Sequence, residues 1–211
     1  MAPTPIDLRG LAGLLTARAH GKRVVMAIAG APGSGKSTFA NELAMLLNAG
    51  SRGSASVLPM DGFHYDDMLL DSLGRRARKG APDTFDVAGF RNLLGRLREN
   101  CEDAIAVPVF DRAIEISRGG ARLIAREISI IIVEGNYLLL RQPPWSQLKP
   151  MFDVTVMVET GVDTLRRRLT ERWQGFDLPA DEIRRKVEEN DLPNGLFVAA
   201  ESADADYRLA N

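Results

Sequence analysis

The chain has 211 residues, 45% of them hydrophobic and 26% charged, enough for one α/β domain that buries roughly 70% of the surface its unfolded form exposes. Its 27 basic and 28 acidic residues leave a formal charge of −1, which gives a nucleic-acid polyanion no bulk attraction and favours a small molecule as partner. The one cysteine, Cys101, has no mate for an internal disulfide, and the start MAPTPIDLRG lacks a basic region followed by an apolar run; a reducing, cytoplasmic setting is expected, with no membrane span, because no apolar stretch approaches the roughly 20 residues needed to cross a bilayer.

Between Pro3 and Gly21, Ile6, Leu8, Leu11, Leu14 and Leu15 recur at helical spacing. Val24 to Ala29 is a continuous apolar run and reads as a central parallel strand buried on both faces. A glycine-rich turn follows, then Phe39, Leu43, Leu46 and Leu47 at helical spacing until Asn, Gly and Ser gather at 48–53. The first unit is therefore strand, loop, helix. A second strand, Ser56 to Met60, ends at Asp61, and a polar loop leads to a helix with Phe90, Leu93, Leu94 and Leu97 on one face. Ile105 to Arg126 alternates weakly around Arg118-Gly119-Gly120, which suggests a small hairpin outside the sheet. Ser129 to Val133 is another buried strand, ending in Glu134-Gly135-Asn136, and Phe152 to Val158 is another. An Arg-rich helix over Val162 to Trp173, a polar helix over Pro179 to Asn190 and a short segment Asp206 to Leu209 complete the chain. Strands alternating with helices predict an α/β, three-layer αβα sandwich around a five-stranded parallel sheet, as one domain over residues 1–211, with a helical lid near residues 167–192.

Residues Gly30, Ala31, Pro32, Gly33, Ser34, Gly35, Lys36 and Ser37 (GAPGSGKS), followed by Thr38, form a complete phosphate loop between a strand and a helix. The glycines let backbone N–H groups turn toward phosphate oxygens, and the helix points its positive end at them. Lys36 supplies a point charge for the β- and γ-phosphates, and the Ser37 hydroxyl is placed to ligate Mg²⁺. ATP and Mg²⁺ are thus the expected cofactors. Motors, switches and kinases all use such a loop, so the carboxylates at other strand ends discriminate among them. Asp61 and Glu134 both follow strand runs, where an open α/β sheet places its ligand crevice. Asp61 is expected to accept the proton of an acceptor hydroxyl and Glu134 to hold the metal; strand-end acids or helix caps are the alternatives.

Asp61-Gly62-Phe63-His64-Tyr65 resembles the uridine kinase, pantothenate kinase and phosphoribulokinase group of P-loop small-molecule kinases. Pro82-Asp83-Thr84-Phe85-Asp86, Pro108-Val109-Phe110-Asp111, Val133-Glu134-Gly135, Val158-Glu159-Thr160 and Asn190-Asp191-Leu192-Pro193-Asn194 extend the resemblance to about residue 198. The combination is most similar to bacterial fructose transport system kinases, or fructokinases. The resemblance implies transfer of the γ-phosphoryl of ATP to a hydroxyl of a small acceptor such as fructose, with the same roles for Asp61 and Glu134. Uridine kinases carry an aromatic residue where this chain has Arg112, which points toward an anionic or polyhydroxylated acceptor; a surface arginine at a hairpin end is the alternative. His64 and Tyr65 are placed to contact the acceptor or to pack together. Arg78 and Lys79 belong either to a charged-substrate site or to a basic surface loop, and Asn190 and Asn194 are expected to cap helices at the lid hinge.

In the resembling kinases an Arg-bearing lid closes over the nucleotide. Arg168 and Arg172, four apart on one helix face, are the candidates for contacting ATP, with Arg168 also acting on the transferred phosphoryl group; a solvated basic face paired with Asp163 and Glu171 is the alternative. Uridine or pantothenate kinase activity remains open, as does a homodimer. A nucleotide-dependent switch without an acceptor is the reading from another class, although NDLPN is not a guanine-reading element and no ABC signature helix is present.

Overall fold

The computed structural model describes residues 3–176 and 178–210; Met1, Ala2, Asn211 and Asp177, the last within the predicted lid range, lie outside the described residues. The apolar run after Arg23 forms strand β2 (Val24–Gly30), every residue of which is buried. Beside it lie β6 (Ile130–Gly135) and β7 (Val154–Glu159), and outside them β3 (Ala55–Pro59) and β8 (Tyr207–Ala210). The order across the sheet is β1-β8-β7-β2-β6-β3 and all its pairings are parallel. Six strands stand where five were expected. The extra one, β1 (Thr4–Pro5), is a two-residue edge pairing with β8, too short to leave an alternating pattern in the sequence.

Strand alternation divides the core into two layers. Val24, Met26, Ile28, Ile130, Ile132, Val154 and Val156 face helices α1 (Leu8–Arg18) and α2 (Lys36–Gly50), packing on Leu11, Leu15, Leu43 and Leu47. Val25, Ala27, Ile131 and Val133 face the other way, onto Phe90, Leu94 and Leu97 of α4 (Val87–Glu99) and onto Tyr137, Leu138 and Trp145. Sequence supplies the helix starts. Asp7 caps α1 by accepting from Gly10 N at 2.7 Å, Asp66 caps the short α3 (Asp67–Ser72), and Asp86 caps α4 by accepting from Gly89 N at 2.8 Å.

The hairpin is antiparallel and stands apart from the sheet: β4 (Ala104–Asp111) and β5 (Ile116–Ala125). Its turn is Arg112–Glu115, so Arg112 does stand at the hairpin end. Arg118, Gly119 and Gly120 lie within β5 at a register shift opposite Val107 and Val109, so the glycines serve a bulge instead of a reversal.

The lid region also differs from expectation. Helix α5 (Val162–Gln174) is followed by α6 (Ala180–Lys186), a turn of π-helix over Val187–Asp191, and α7 (Leu192–Glu201), with no break at the Asn-Asp-Leu-Pro-Asn run. Asn190 and Asn194 therefore cap nothing. They sit one turn apart, with Asn194 Nδ2 donating to Asn190 Oδ1 at 3.2 Å. Pro193 is the second residue of α7, directly after the π turn, where the regular i→i−4 ladder is already interrupted. Leu165, Leu169, Ile183, Val187 and Leu192 make a separate small core among these helices.

The hairpin is tied to the end of β3 through Gly62. A Cβ there would meet the Pro108 carbonyl oxygen at 2.8 Å, and Ser117 donates its hydroxyl to the Gly62 carbonyl. Because backbone cannot yield as a flexible side chain does, Gly62→Ala should destabilise the protein by about 1–3 kcal/mol; a urea midpoint within error of wild type would show that the hairpin is not held this closely.

Candidate active site

The carboxyl ends of β2, β3 and β6 open into one cavity of about 1370 Å³. From β2 comes the phosphate loop, which reverses through Gly33 and Gly35 at φ of 77° and 89°, left-handed backbone that a side chain would strain. Gly35 is the N-cap of α2, so this helix begins at Lys36 with its positive end toward the cavity. Pro32, Gly33, Gly35, Lys36, Ser37 and Thr38 line the cavity. Gly30, Ala31 and Ser34 are not among the lining residues; Ser34 is fully buried behind the loop, whose carbonyl also accepts from Thr160 Oγ1 at 3.2 Å.

Glu134, the fifth residue of β6, is buried and accepts a hydrogen bond from Ser37 Oγ at 3.1 Å. A hydroxyl and a carboxylate oxygen are the hard donors that Mg²⁺ takes, so the pair suits that ion. Among the described residues no three His, Cys, Asp or Glu side chains cluster as a metal cage. A cation here would need phosphate oxygens and water for its remaining positions.

Asp61 follows β3 and faces the same cavity. Its carboxylate is ion-paired with Arg112 from the hairpin turn. Burial alone would raise the carboxyl, but Arg112, His64 and Lys36 outweigh it and hold Asp61 below its ordinary value, ionised and able to accept a proton. Glu134 moves the other way: burial, joined by the charge of Asp61, raises it against the pull of Lys36. Burial lowers Lys36, offset in part by Glu134 and Asp61. Its ammonium lies 3.5 Å from the Ala31 carbonyl.

His64 also lines the cavity, its ring between Phe85 at 4.0 Å and Phe110 at 4.7 Å and its Nδ1 2.8 Å from the Asp61 carbonyl. Tyr65 is not a lining residue; its backbone N–H donates to the Thr84 carbonyl, and the predicted His-Tyr pairing is replaced by His64 on the two phenylalanines. On α5 the two candidate arginines part company. Arg168 Nη1 lies 3.4 Å from the Ser34 carbonyl, over the phosphate loop. Arg172, one turn on, stacks at 5.3 Å on Trp173 and is influenced by Arg112, Asp191, Asp61 and Glu115, which places it toward the hairpin side. Arg166 and Arg167 point away, into pairs with Glu188 and Glu171.

Arg78 pairs with Asp83 and Lys79 with Asp67, so the basic loop at 75–79 is largely neutralised within the protein, although Arg76, Arg78 and Lys79 do line the cavity. Two residues escaped the sequence reading. Glu115, at the end of the hairpin turn with φ of 54°, and Asn136, just past β6, line the cavity, and Glu115 Oε1 and Asn136 Oδ1 are buried without a hydrogen-bond donor among the described residues. A lone glutamate in a turn carries no motif; only Asn136, adjoining Val-Glu-Gly, had a signal to follow.

No family model matches the chain. A "putative uridine kinase" of Schizosaccharomyces pombe is 33% identical over 198 residues, which cover 90% of this chain and 84% of that protein. A pantothenate kinase of Enterococcus faecalis is 29% identical over 152 residues, 71% of this chain and about half (49%) of that protein. Among solved structures, a "putative fructose transport system kinase" from Silicibacter sp. TM1040 is 38% identical and superimposes with a TM-score of 0.86 over 97% of this chain and 99% of that one. YFH7 of Saccharomyces cerevisiae shares the fold, with a TM-score of 0.84 at 21% identity.

Burial lowers the His64 imidazole below the ordinary value of 6.5, against the opposing pull of Asp61. The unfolded chain then binds more protons than the native one in the window below 6.5. Stability is complete above that value and falls as the pH drops through it, by at most about 1.4 kcal/mol per pH unit. Urea unfolding at pH 7.5 and 5.5 should show this loss, and His64→Asn should shrink it; an equal loss in the variant would place its origin elsewhere.

Proposed function

The chain belongs to the P-loop small-molecule kinases, the group of the uridine and pantothenate kinases, and is an ATP-dependent phosphotransferase; we propose that its acceptor is a small polyhydroxylated molecule, a sugar such as fructose. The observation that supports this acceptor class is the pair of buried oxygens Glu115 Oε1 and Asn136 Oδ1, which are without a donor among the described residues and belong to side chains lining the same cavity as Asp61. A buried acceptor left without a donor costs about 1–3 kcal/mol, and a left-handed backbone at a non-glycine residue such as Glu115 costs a similar amount. Hydroxyl donors on the acceptor would satisfy both oxygens while a third hydroxyl faces Asp61.

In this reading the Asp61 carboxylate takes the proton as the acceptor oxygen forms its bond to the γ-phosphorus and the bond to the leaving ADP oxygen breaks. Lys36 and the inward N–H groups of the phosphate loop neutralise the oxygens of the transferring group, and Arg168 adds guanidinium charge from α5 when the helices α5–α7 close as a lid. Ser37 and Glu134 would hold Mg²⁺, which would supply charge neutralisation for the phosphate oxygens. Arg112 keeps Asp61 ionised until the acceptor arrives. Tyr65 has no part in this scheme.

Three measurements test it. A panel of fructose, other sugars, nucleosides and pantothenate with ATP and Mg²⁺ should give acceptor-dependent ADP release with a polyol and little with pantothenate; release only with uridine would make the chain a nucleoside kinase. Asp61→Asn should lower kcat by about 10²–10⁴-fold while leaving ATP affinity near wild type. Normal turnover in that variant would remove Asp61 from the role of base. Glu115→Ala should raise KM for the acceptor about tenfold, the equivalent of one lost hydrogen bond, with KM for ATP unchanged.

A further inference from the structure

The wall of the cavity facing Asp61 holds more N–H donors than a neutral polyol needs. Arg75, Arg76, Arg78 and Lys79 are already committed to Asp67, Asp71 and Asp83. Arg112 is held by Asp61 alone among the carboxylates. Arg172 forms no hydrogen bond or ion pair among the described residues, although it is half-buried and lines the cavity. Its guanidinium stacks on Trp173 and that of Arg112 on Phe110, each at 5.3 Å. Stacking fixes the plane of a guanidinium and leaves its edge N–H groups free to form a fork. Both side chains line the cavity, and Arg172 is held below its ordinary value by burial and then by the charge of Arg112.

The nearby carboxylates do not fill this gap. Asp191 Oδ2 accepts from Trp173 Nε1 at 2.7 Å, and Glu115 Oε1 has no donor among the described residues. The nucleotide does not use the gap either in the reading given above, since Lys36 and Arg168 stand over the phosphate loop while Arg172 lies one helical turn farther toward the hairpin.

Resting on the polyol-kinase reading, we infer that the acceptor carries an oxyanion, a phosphate or a carboxylate, held between the stacked guanidiniums of Arg112 and Arg172. The acceptor is then a sugar phosphate or a sugar acid, and its hydroxyls meet Glu115 and Asn136. Arg112, the partner of Asp61, swings part of its fork to the incoming anion, so that docking of the charged group and exposure of the base to the reacting hydroxyl occur together. A neutral sugar leaves Arg112 on Asp61 and Arg172 without a partner.

Binding tests this independently of turnover. With the full chain saturated by a non-hydrolysable ATP analogue and Mg²⁺, so that the phosphate loop is occupied, inorganic phosphate and glycolate are titrated by calorimetry. One of the two anions should bind, and Arg172→Gln and Arg112→Gln should each weaken it at least tenfold, with thermal unfolding used to confirm that both variants are folded. The arm that binds identifies phosphate or carboxylate as the group. Absence of binding in both arms, or binding unchanged in both variants, overturns the inference. Turnover then reads the underlying kinase assignment separately: fructose 6-phosphate or gluconate should exceed fructose in kcat/KM by at least 100-fold. Fructose used as well as its charged counterparts would overturn the inference while leaving the kinase reading standing. Anion binding without turnover of any polyol would leave the anion site between Arg112 and Arg172 standing and overturn the polyol acceptor, and with it the assignment of that anion to a sugar.

Discussion

Strand β6 runs between β2 and β3, and its register sets Glu134 level with Ile28 on one side and Pro59 on the other. Everything in the site depends on that alignment. Parallel strands in register bring the chain off β2, β3 and β6 at one height, so the phosphate loop, Asp61 and Glu134 emerge into one crevice. The Ser37 hydroxyl reaches Glu134 across 97 residues of sequence at 3.1 Å only because the strands beneath them are fixed by a ladder of backbone hydrogen bonds. The apolar layers on either face, closed by Leu43 on one side and Phe90 on the other, keep the ladder from sliding. A one-residue slip would turn Glu134 into the core and Val133 toward the crevice.

On this frame the charges alternate. Lys36 stands between Glu134 and Asp61, and Asp61 stands between Lys36 and Arg112. Such alternation lets buried ionic groups retain their charge where isolation would neutralise them. It also moves the two carboxylates in opposite directions. Asp61, next to two cations and His64, is held ionised; Glu134, deeper and nearer apolar strand, is raised and is best stabilised as an anion by a cation at Ser37. In the proposed scheme, environment rather than residue type divides proton acceptance from metal binding.

The acceptor side rests on an aromatic buttress. Burial pushes the Tyr137 phenol far above its ordinary range, so its hydroxyl stays a donor and binds the Gly80 carbonyl at 2.6 Å. Trp145 Nε1 donates to the Pro82 carbonyl at 3.0 Å, and both rings meet Phe85 edge-on. These contacts pin the loop from Lys79 to Phe85 against the sheet, which in turn seats His64 between Phe85 and Phe110. Asn190 Nδ2, 3.5 Å from the Lys79 carbonyl, links the same loop to the helices over the cavity. The helical segment at Asn190 and the loop from Lys79 to Phe85 are therefore neighbours, although 111 residues separate the two contact points in the chain.

Local sequence determined the parts whose physics is local. The buried runs at Val24, Ile130 and Val154 could only be central parallel strands, the glycines and Lys36 could only form a phosphate loop between strand and helix, and strand-end position singled out Asp61 and Glu134 before any coordinates. Short or non-local features were not legible. The two-residue β1 has no periodicity to read, the glycines marked a hairpin without showing that they form its bulge, and the asparagines near Pro193 looked like caps within what is a continuous run of helix with one π turn. The acceptor wall is wholly a tertiary product. Arg112 meets Asp61 across 51 residues, Arg172 comes to it from α5, and Glu115 and Asn136 contribute oxygens from a turn and a strand end. Sequence fixes which side chains exist and which local backbone they ride on; only long-range packing sets which of them share a cavity, because hydrogen bonds and ion pairs form over a few ångströms of space and take no account of distance along the chain.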